Sequence, residues 1–204
     1  MKLYYSPGSC SMASHIVLEE AGLPYSVVRV NLKDKTTETG EDYTRINPKG
    51  YVPCLRLDGG ELLGENTALL AYLGELKPAA GLMPAAGTLD NYRVREWLGF
   101  VSTELHKNCS PLFRPTTPDA TKQFQLELLA AKLGLVEHAL AGHSFLTGEH
   151  FTPADSYLYV VLNWMPRIGI DLAKYPNLKA FHARVGARPA VLKVLKDEGL
   201  LKAA

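Results

Sequence analysis

Three groups of side chains in this chain have the types and spacing to do chemistry. They are Cys10 within Ser9-Cys10-Ser11, the run Asn47-Pro48-Lys49-Gly50-Tyr51-Val52-Pro53 followed by Gly64-Glu65-Asn66-Thr67, and the pair His106-Lys107. Cys10 follows a short strand pattern and stands where a helix pattern begins. The positive end of that helix dipole is expected to lower the thiol pKa. A thiolate there attacks a disulfide or accepts a hydrogen bond from a neighbouring thiol; a wholly apolar niche would instead make Cys10 ordinary packing. The flanking serines argue against such a niche. The next residues are Ser11, Met12 and Ala13, so a resolving thiol is missing and any redox work is monothiol, through a mixed disulfide.

Pro53 opens an apolar strand, Cys54-Leu55-Arg56-Leu57. Asp58-Gly59-Gly60 then turns the chain into a second strand, Glu61-Leu62-Leu63. A cis Val52-Pro53 bond would turn the Val52 backbone outward, offering N–H and C=O to an extended ligand. The helix start at Glu65-Asn66 would take that ligand's carboxylate, with the Asn66 side chain as cap. One hairpin thus has the parts of a peptide-shaped site.

His106 supplies a hydrogen-bond donor and Lys107 a cation. Cys109 lies three residues after His106 and shares its helix face, which continues to Phe113. Trp164, with Met165 and Tyr157 downstream, has the composition to close an apolar pocket with Phe113. Interior packing fits the same spacing. Cys54 reads as core. The six histidines include no i, i+4 pair, so no metal site is expected. Neither a Gly-rich phosphate loop nor a Gly-x-Ser-x-Gly elbow occurs, which sets aside nucleotide enzymes and α/β hydrolases.

These residues need elements to hold them. Leu3-Tyr4-Tyr5 reads as a strand and Ser11 to Gly22 as a helix stopped by Gly22. Tyr25 to Leu32, rich in Val, reads as a second strand, and Thr36 to Ile46 as an irregular helical stretch. With the hairpin and a helix over 66–76, the order is β-α-β-α-β-β-α, and the crossover makes strands one and two parallel. Residues 78–87, rich in Pro, Gly and Ala, read as a linker between a domain over 1–77 and an all-α domain over 88–204. In that second part Leu89 to Phe113 is helical. Thr117-Pro118 should start a helix running to Leu140, with Pro118 at its first position. Thr152-Pro153-Ala154-Asp155 should start another through a capping box, and helices over 176–187 and 189–199 follow.

The chain has 204 residues, 47% hydrophobic and 21% charged, with net charge +1. That is an ordinary composition for a packed globule and argues against nucleic acid or an anionic membrane as partner. No run of 18 apolar residues predicts a membrane span, and the N-terminus has no secretory pattern. Three scattered cysteines fit a reducing compartment, so a cytoplasmic location is expected.

A thioredoxin-like N-terminal order, Val-Pro before a hairpin, Glu-Asn at the next helix and a helical second domain resemble the glutathione transferases. Cys10 with His106-Lys107 is similar to their bacterial beta class. The resemblance runs the whole length. It implies glutathione as co-substrate, a homodimer, and conjugation to electrophilic, apolar or halogenated xenobiotics, a detoxification role.

The resemblance also implies roles for single residues. Cys10, His106 and Lys107 are catalytic. Lys35, Val52, Pro53, Glu65, Asn66, Thr103 and Glu104 bind glutathione, with Lys35 at the glycyl carboxylate and Glu104 reaching the amino end across the dimer. Cys109, Phe113, Tyr157 and Trp164 line the acceptor pocket. Asn66 stands where a Ser is usual, and Gly99 where an Asn is expected. Tyr5, Ser6 and Ser9 are alternative donors to the sulfur. The rival functions are a glutathione-dependent thiol–disulfide oxidoreductase or dehalogenase using Cys10, a non-enzymatic carrier, and an interaction module on the same scaffold.

Overall fold

A computed structural model describes residues 1–201; residues 202–204 of the expected helical domain lie outside the described residues. The chain divides into two compact units, 1–83 joined by 188–201, and Pro84–Ala187. The division falls between Met83 and Pro84, inside the stretch read as a linker. The final helix, assigned from sequence to the helical part, belongs to the first unit.

The first unit holds β1 (Lys2–Tyr5), α1 (Ser11–Glu20), β2 (Ser26–Asn31), β3 (Thr36–Thr37), α2 (Tyr43–Ile46), β4 (Cys54–Arg56), β5 (Leu62–Gly64) and α3 (Asn66–Glu75). The five strands form one sheet in the order β3-β2-β1-β4-β5. β1 and β2 are parallel, as the α1 crossover requires. β4 lies antiparallel to β1, and the hairpin pairs Cys54 with Gly64 and Leu55 with Leu63. This is the thioredoxin-like order expected, with one addition. β3, two residues long, pairs antiparallel with β2, too short for any periodicity to show.

Alternation along β1 sets up two cores. Tyr4 joins Val30, Tyr43, Val52 and Cys54 on one face. The neighbouring Leu3 and Tyr5 point to the other face, where α1 and α3 pack together. α1 ends at Gly22, whose φ of +57° is open to glycine; the Gly22 N–H donates to Glu19 O and Leu23 N–H to Leu18 O, closing the helix. The last helix of the chain, α9 (Pro189–Asp197), lies against α1. Arg188 grips Glu20 through two hydrogen bonds of 2.6 and 2.9 Å, and Lys193 reaches Glu19 at 3.1 Å.

The second unit is helical: α4 (Leu89–Phe100), α5 (Lys107–Cys109), α6 (Asp119–Ala139), α7 (Pro153–Leu162) and α8 (Pro176–Gly186). Between α4 and α5 the chain winds as a π-helix over Val101–His106, then tightens to a 3₁₀ turn at Ser110–Phe113. All ten residues of α7 are buried, which makes it the central helix, apolar nearly all round. Its start is the expected capping device: Asp155 accepts from Thr152 N–H and Thr152 Oγ1, and its other oxygen takes Leu146 N–H, each at 2.8 Å. Phe151 packs edge-on against Phe145, 5.8 Å between centroids. Pro176 and Pro189 begin their helices, where a missing N–H costs no intrahelical bond. Pro118 does not. It is extended at ψ 146° and caps α6, which starts one residue later than expected.

Candidate functional site

The first unit brings Cys10, Val52, Glu65 and Asn66 to one place. Cys10 is half-buried and occupies the cap position of α1. Burial pushes its thiol up to about 12, outweighing the backbone hydrogen bonds at Cys10 and Ser11 that pull it down; the Glu65 charge raises it further. The expected lowering by the helix dipole is therefore corrected. Desolvation disfavours the thiolate more than the local dipoles stabilise it. Cys10 carries its proton at neutral pH and donates it to the Val52 carbonyl, 3.3 Å away. The Val52-Pro53 bond is cis. The Val52 carbonyl, expected to turn outward, faces Cys10, and the Val52 side chain is buried.

Asn66 also differs from expectation. Glu65 takes the cap position of α3, and Asn66 is the first helical residue. Its side chain turns inward: Nδ2 donates to the Cys10 carbonyl at 2.8 Å, and Oδ1 accepts from Ser14 Oγ at 3.0 Å. One buried amide thus ties the starts of α1 and α3 together. The Asn66 main-chain N–H is one of the first-turn donors that have no intrahelical acceptor.

Glu65 holds a φ of +64° and ψ of 118°, a conformation that costs a non-glycine residue on the order of 1–3 kcal/mol. Its exposed carboxylate pairs with Lys49 Nζ at 2.7 Å. Lys35 likewise has a positive φ, +55°. Its half-buried ammonium donates to Gly50 O at 2.8 Å and lies 5.4 Å from the Tyr51 ring centroid.

Three partners here carry no local signal in the sequence. Lys49 pairs with Glu65. Tyr43 Oη donates to Tyr51 O at 2.8 Å and steadies the turn before Pro53. Glu198, on the final segment, is buried; it accepts from Gly8 N–H at 2.8 Å, and its other oxygen lies 3.0 Å from His15 Nδ1. It anchors the loop that leads into Cys10. Ser9 and Ser11 lock the same loop, with Oγ atoms 2.8 Å apart and Ser6 N–H donating to Ser11 Oγ. Tyr5 is buried beside the His15 ring, 5.7 Å between centroids, as an interior strand tyrosine.

The second unit brings together His106, Phe113, Tyr157 and Trp164. His106 Nδ1 lies 2.6 Å from Tyr157 Oη. Its ring meets Trp164 edge-on at 4.9 Å and Tyr157 at 5.8 Å, and Phe113 meets Trp164 at 6.0 Å. Burial, then the Lys107 charge, lowers the imidazole pKa to about 4, so His106 is neutral near pH 7. Phe113 is 45% exposed while Tyr157 and Trp164 are buried, so the cluster presents a wet aromatic edge over a dry floor. Cys109 is fully buried, and that burial pushes its thiol up to about 12.

Thr103, Glu104 and His106 all ride on the π-helix, which rotates their directions relative to α4. Thr103 Oγ1 donates to Gly99 O at 3.1 Å. The Glu104 carboxylate pairs with Lys132 at 2.8 Å, which holds it below its ordinary pKa. Lys107 is exposed. Among the described residues, no cluster of three or more His, Cys, Asp or Glu is placed to hold a metal.

This geometry has clear relatives. The family model "Glutathione S-transferase, N-terminal domain" matches residues 8–76, and "Glutathione S-transferase, C-terminal domain" matches residues 100–189. Glutathione S-transferase GstA of Escherichia coli O157:H7 is 42% identical over 200 residues, covering 98% of this chain and 100% of that protein. A sphingomonad glutathione S-transferase solved in complex with glutathione matches with a TM-score of 0.95 at 46% identity, over 98% of this chain and 100% of the other. The chain belongs to the glutathione S-transferase family. Within it the likeness is to the bacterial beta class: the enzyme of that class from Sphingomonas chungbukensis matches with a TM-score of 0.95 at 43% identity, over 98% and 100% of the two chains.

Proposed function

We propose that this glutathione S-transferase binds glutathione in extended form along the Val52-Pro53 segment and conjugates it to small apolar or halogenated electrophiles. One observation carries the reading. A strained Glu65 and the free start of α3 sit beside a protonated Cys10 in the first unit, in a chain matched over both family domains. The γ-glutamyl carboxylate is assigned to the Asn66 N–H and the helix dipole, and the glycyl carboxylate to Lys35. Glu65 is assigned to the ligand's amino group, with Thr103 and Glu104 as further polar contacts. Glu104 must exchange Lys132 for any such contact.

Cys10, His106 and Lys107 are assigned to the sulfur. Cys10 and neutral His106 act as donors and Lys107 as a charge, stabilising the thiolate as it forms; preorganised donors of this kind usually contribute more to catalysis than any other single effect. The wet edge of the Phe113–Trp164–Tyr157 cluster receives the acceptor. Sulfur attacks the electrophilic carbon, the carbon–halide bond breaks, halide leaves, and the thiol proton passes to water. A protonated Cys10 weighs against the oxidoreductase and dehalogenase alternatives, since both need a Cys10 thiolate. The reading includes a cytoplasmic homodimer. Among the described residues no helix is long and apolar enough to cross a membrane.

Turnover of a chloronitrobenzene with glutathione tests the function. A rate above the uncatalysed one supports it. Binding to immobilised glutathione without turnover would instead favour a carrier, and failure to bind an interaction module.

A further inference from the structure

We infer that Tyr157 is a positioning residue that holds His106 in one neutral tautomer, with the proton on Nε2, so that the imidazole serves as a hydrogen-bond donor and not as a base. The functional meaning rests on the transferase reading; the geometry does not. The Tyr157 Oη to His106 Nδ1 distance of 2.6 Å is short for an O–H···N bond. Tyr157 is 1% exposed and sits on the wholly buried α7, so its hydroxyl has a fixed position. The imidazole also meets the Tyr157 and Trp164 rings edge-on, at 5.8 and 4.9 Å between centroids, contacts that oppose a ring flip exchanging its two nitrogens.

The proton's place follows from acidity. A phenol with an ordinary pKa of about 10 is a far better donor than a neutral imidazole N–H, and an imidazole nitrogen is a far better acceptor than a phenol oxygen. The bond is therefore O–H···Nδ1. A neutral ring whose Nδ1 accepts must carry its hydrogen on Nε2. The other nitrogen then has no lone pair to take a proton. Burial, which resists the imidazolium, closes the second route to base catalysis.

Histidine tautomers are read by two-bond ¹⁵N–¹H correlation spectra of the ¹⁵N-labelled full chain near pH 7, with His106 assigned by its loss in His106→Gln. The wild-type signal is expected as the Nε2–H form alone. In Tyr157→Phe the ring should become a mixture of the two neutral forms. Alongside, kcat for chloronitrobenzene conjugation should fall by about tenfold, the worth of one hydrogen bond in the transition state, with KM for glutathione within about twofold. An Nδ1–H form in the wild type overturns the inference without any need for the variant to fold. An unchanged tautomer in a folded Tyr157→Phe also overturns it. A protein with the expected tautomers but no turnover would sink the transferase reading and leave the Tyr157–His106 assignment standing.

Discussion

Replacing Asn66 probes the joint between the two helix starts. In Asn66→Ala the amide is lost, and with it the bonds to Cys10 O and Ser14 Oγ. Each neutral bond contributes about 0.5–1.5 kcal/mol, and a fully orphaned buried partner costs about 1–3 kcal/mol. Two features reduce that cost. The Cys10 carbonyl keeps the Ala13 N–H at 3.2 Å, and Ser14, four residues on, is able to turn its hydroxyl back to the same carbonyl. The loss is therefore about 2 kcal/mol, or roughly 4–8 °C in Tm for a chain of this size. Asn66→Asp is the sharper variant. It keeps an acceptor for Ser14 but sets a carboxylate oxygen against the Cys10 carbonyl in a site only 7% exposed, so it must lose more than Ala despite its closer shape. Urea unfolding with hydrogen exchange on α1 and α3 measures both. Equal stability of Asp and wild type, or less loss for Asp than for Ala, would refute the inward role of Asn66.

Other substitutions separate the remaining claims. Cys10→Ala should lower conjugation only about tenfold, because a weak S–H donor is lost and not a nucleophile; abolition of turnover would make Cys10 the nucleophile. The thiolate fraction of wild-type Cys10 below pH 9 should be about a thousandfold under that of a free thiol, given a pKa pushed from 9.0 to about 12, so alkylation should be slow there and rise only above that range. Glu65→Gly removes a backbone cost of about 1 kcal/mol or more. Stability should hold or rise while glutathione affinity falls, and a variant that binds as before would remove Glu65 from the site.

Asp155→Ala leaves three interior donors without their acceptor and should cost about 3–5 kcal/mol by denaturant titration. Burial also raises the Asp155 carboxyl from 3.8 to about 6. Between those values the folded state binds more protons than the unfolded one, so this group's contribution to stability is full below pH 4 and falls as pH rises to 6. That slope should vanish in Asp155→Asn.

What was readable in the sequence was local. Asp58-Gly59-Gly60 set the hairpin, with Leu57 N–H donating to Glu61 O across it. Pro153, Pro176 and Pro189 marked helix starts because a proline lacks only what the first helical position does not need. Asp155 three residues after Thr152 announced its capping box. What was missed depends on partners far along the chain. The His15–Glu198 contact spans 183 positions and His106–Tyr157 spans 51, and no spacing rule connects them. For Cys10 the sequence displays the helix start that would favour a thiolate but not the burial that opposes it. Asn66 has the residue type that favours a cap, and the buried Ser14 hydroxyl draws its side chain inward instead.

The proposed mechanism makes catalysis turn on the acidity of a sulfhydryl that does not belong to the protein. Thiolate absorbance of glutathione bound at saturation, followed through a pH titration and compared with the free tripeptide, tests it most directly. The midpoint should lie well below that of free glutathione and move upward in both Cys10→Ala and His106→Gln. A midpoint equal to the free value would contradict this mechanism.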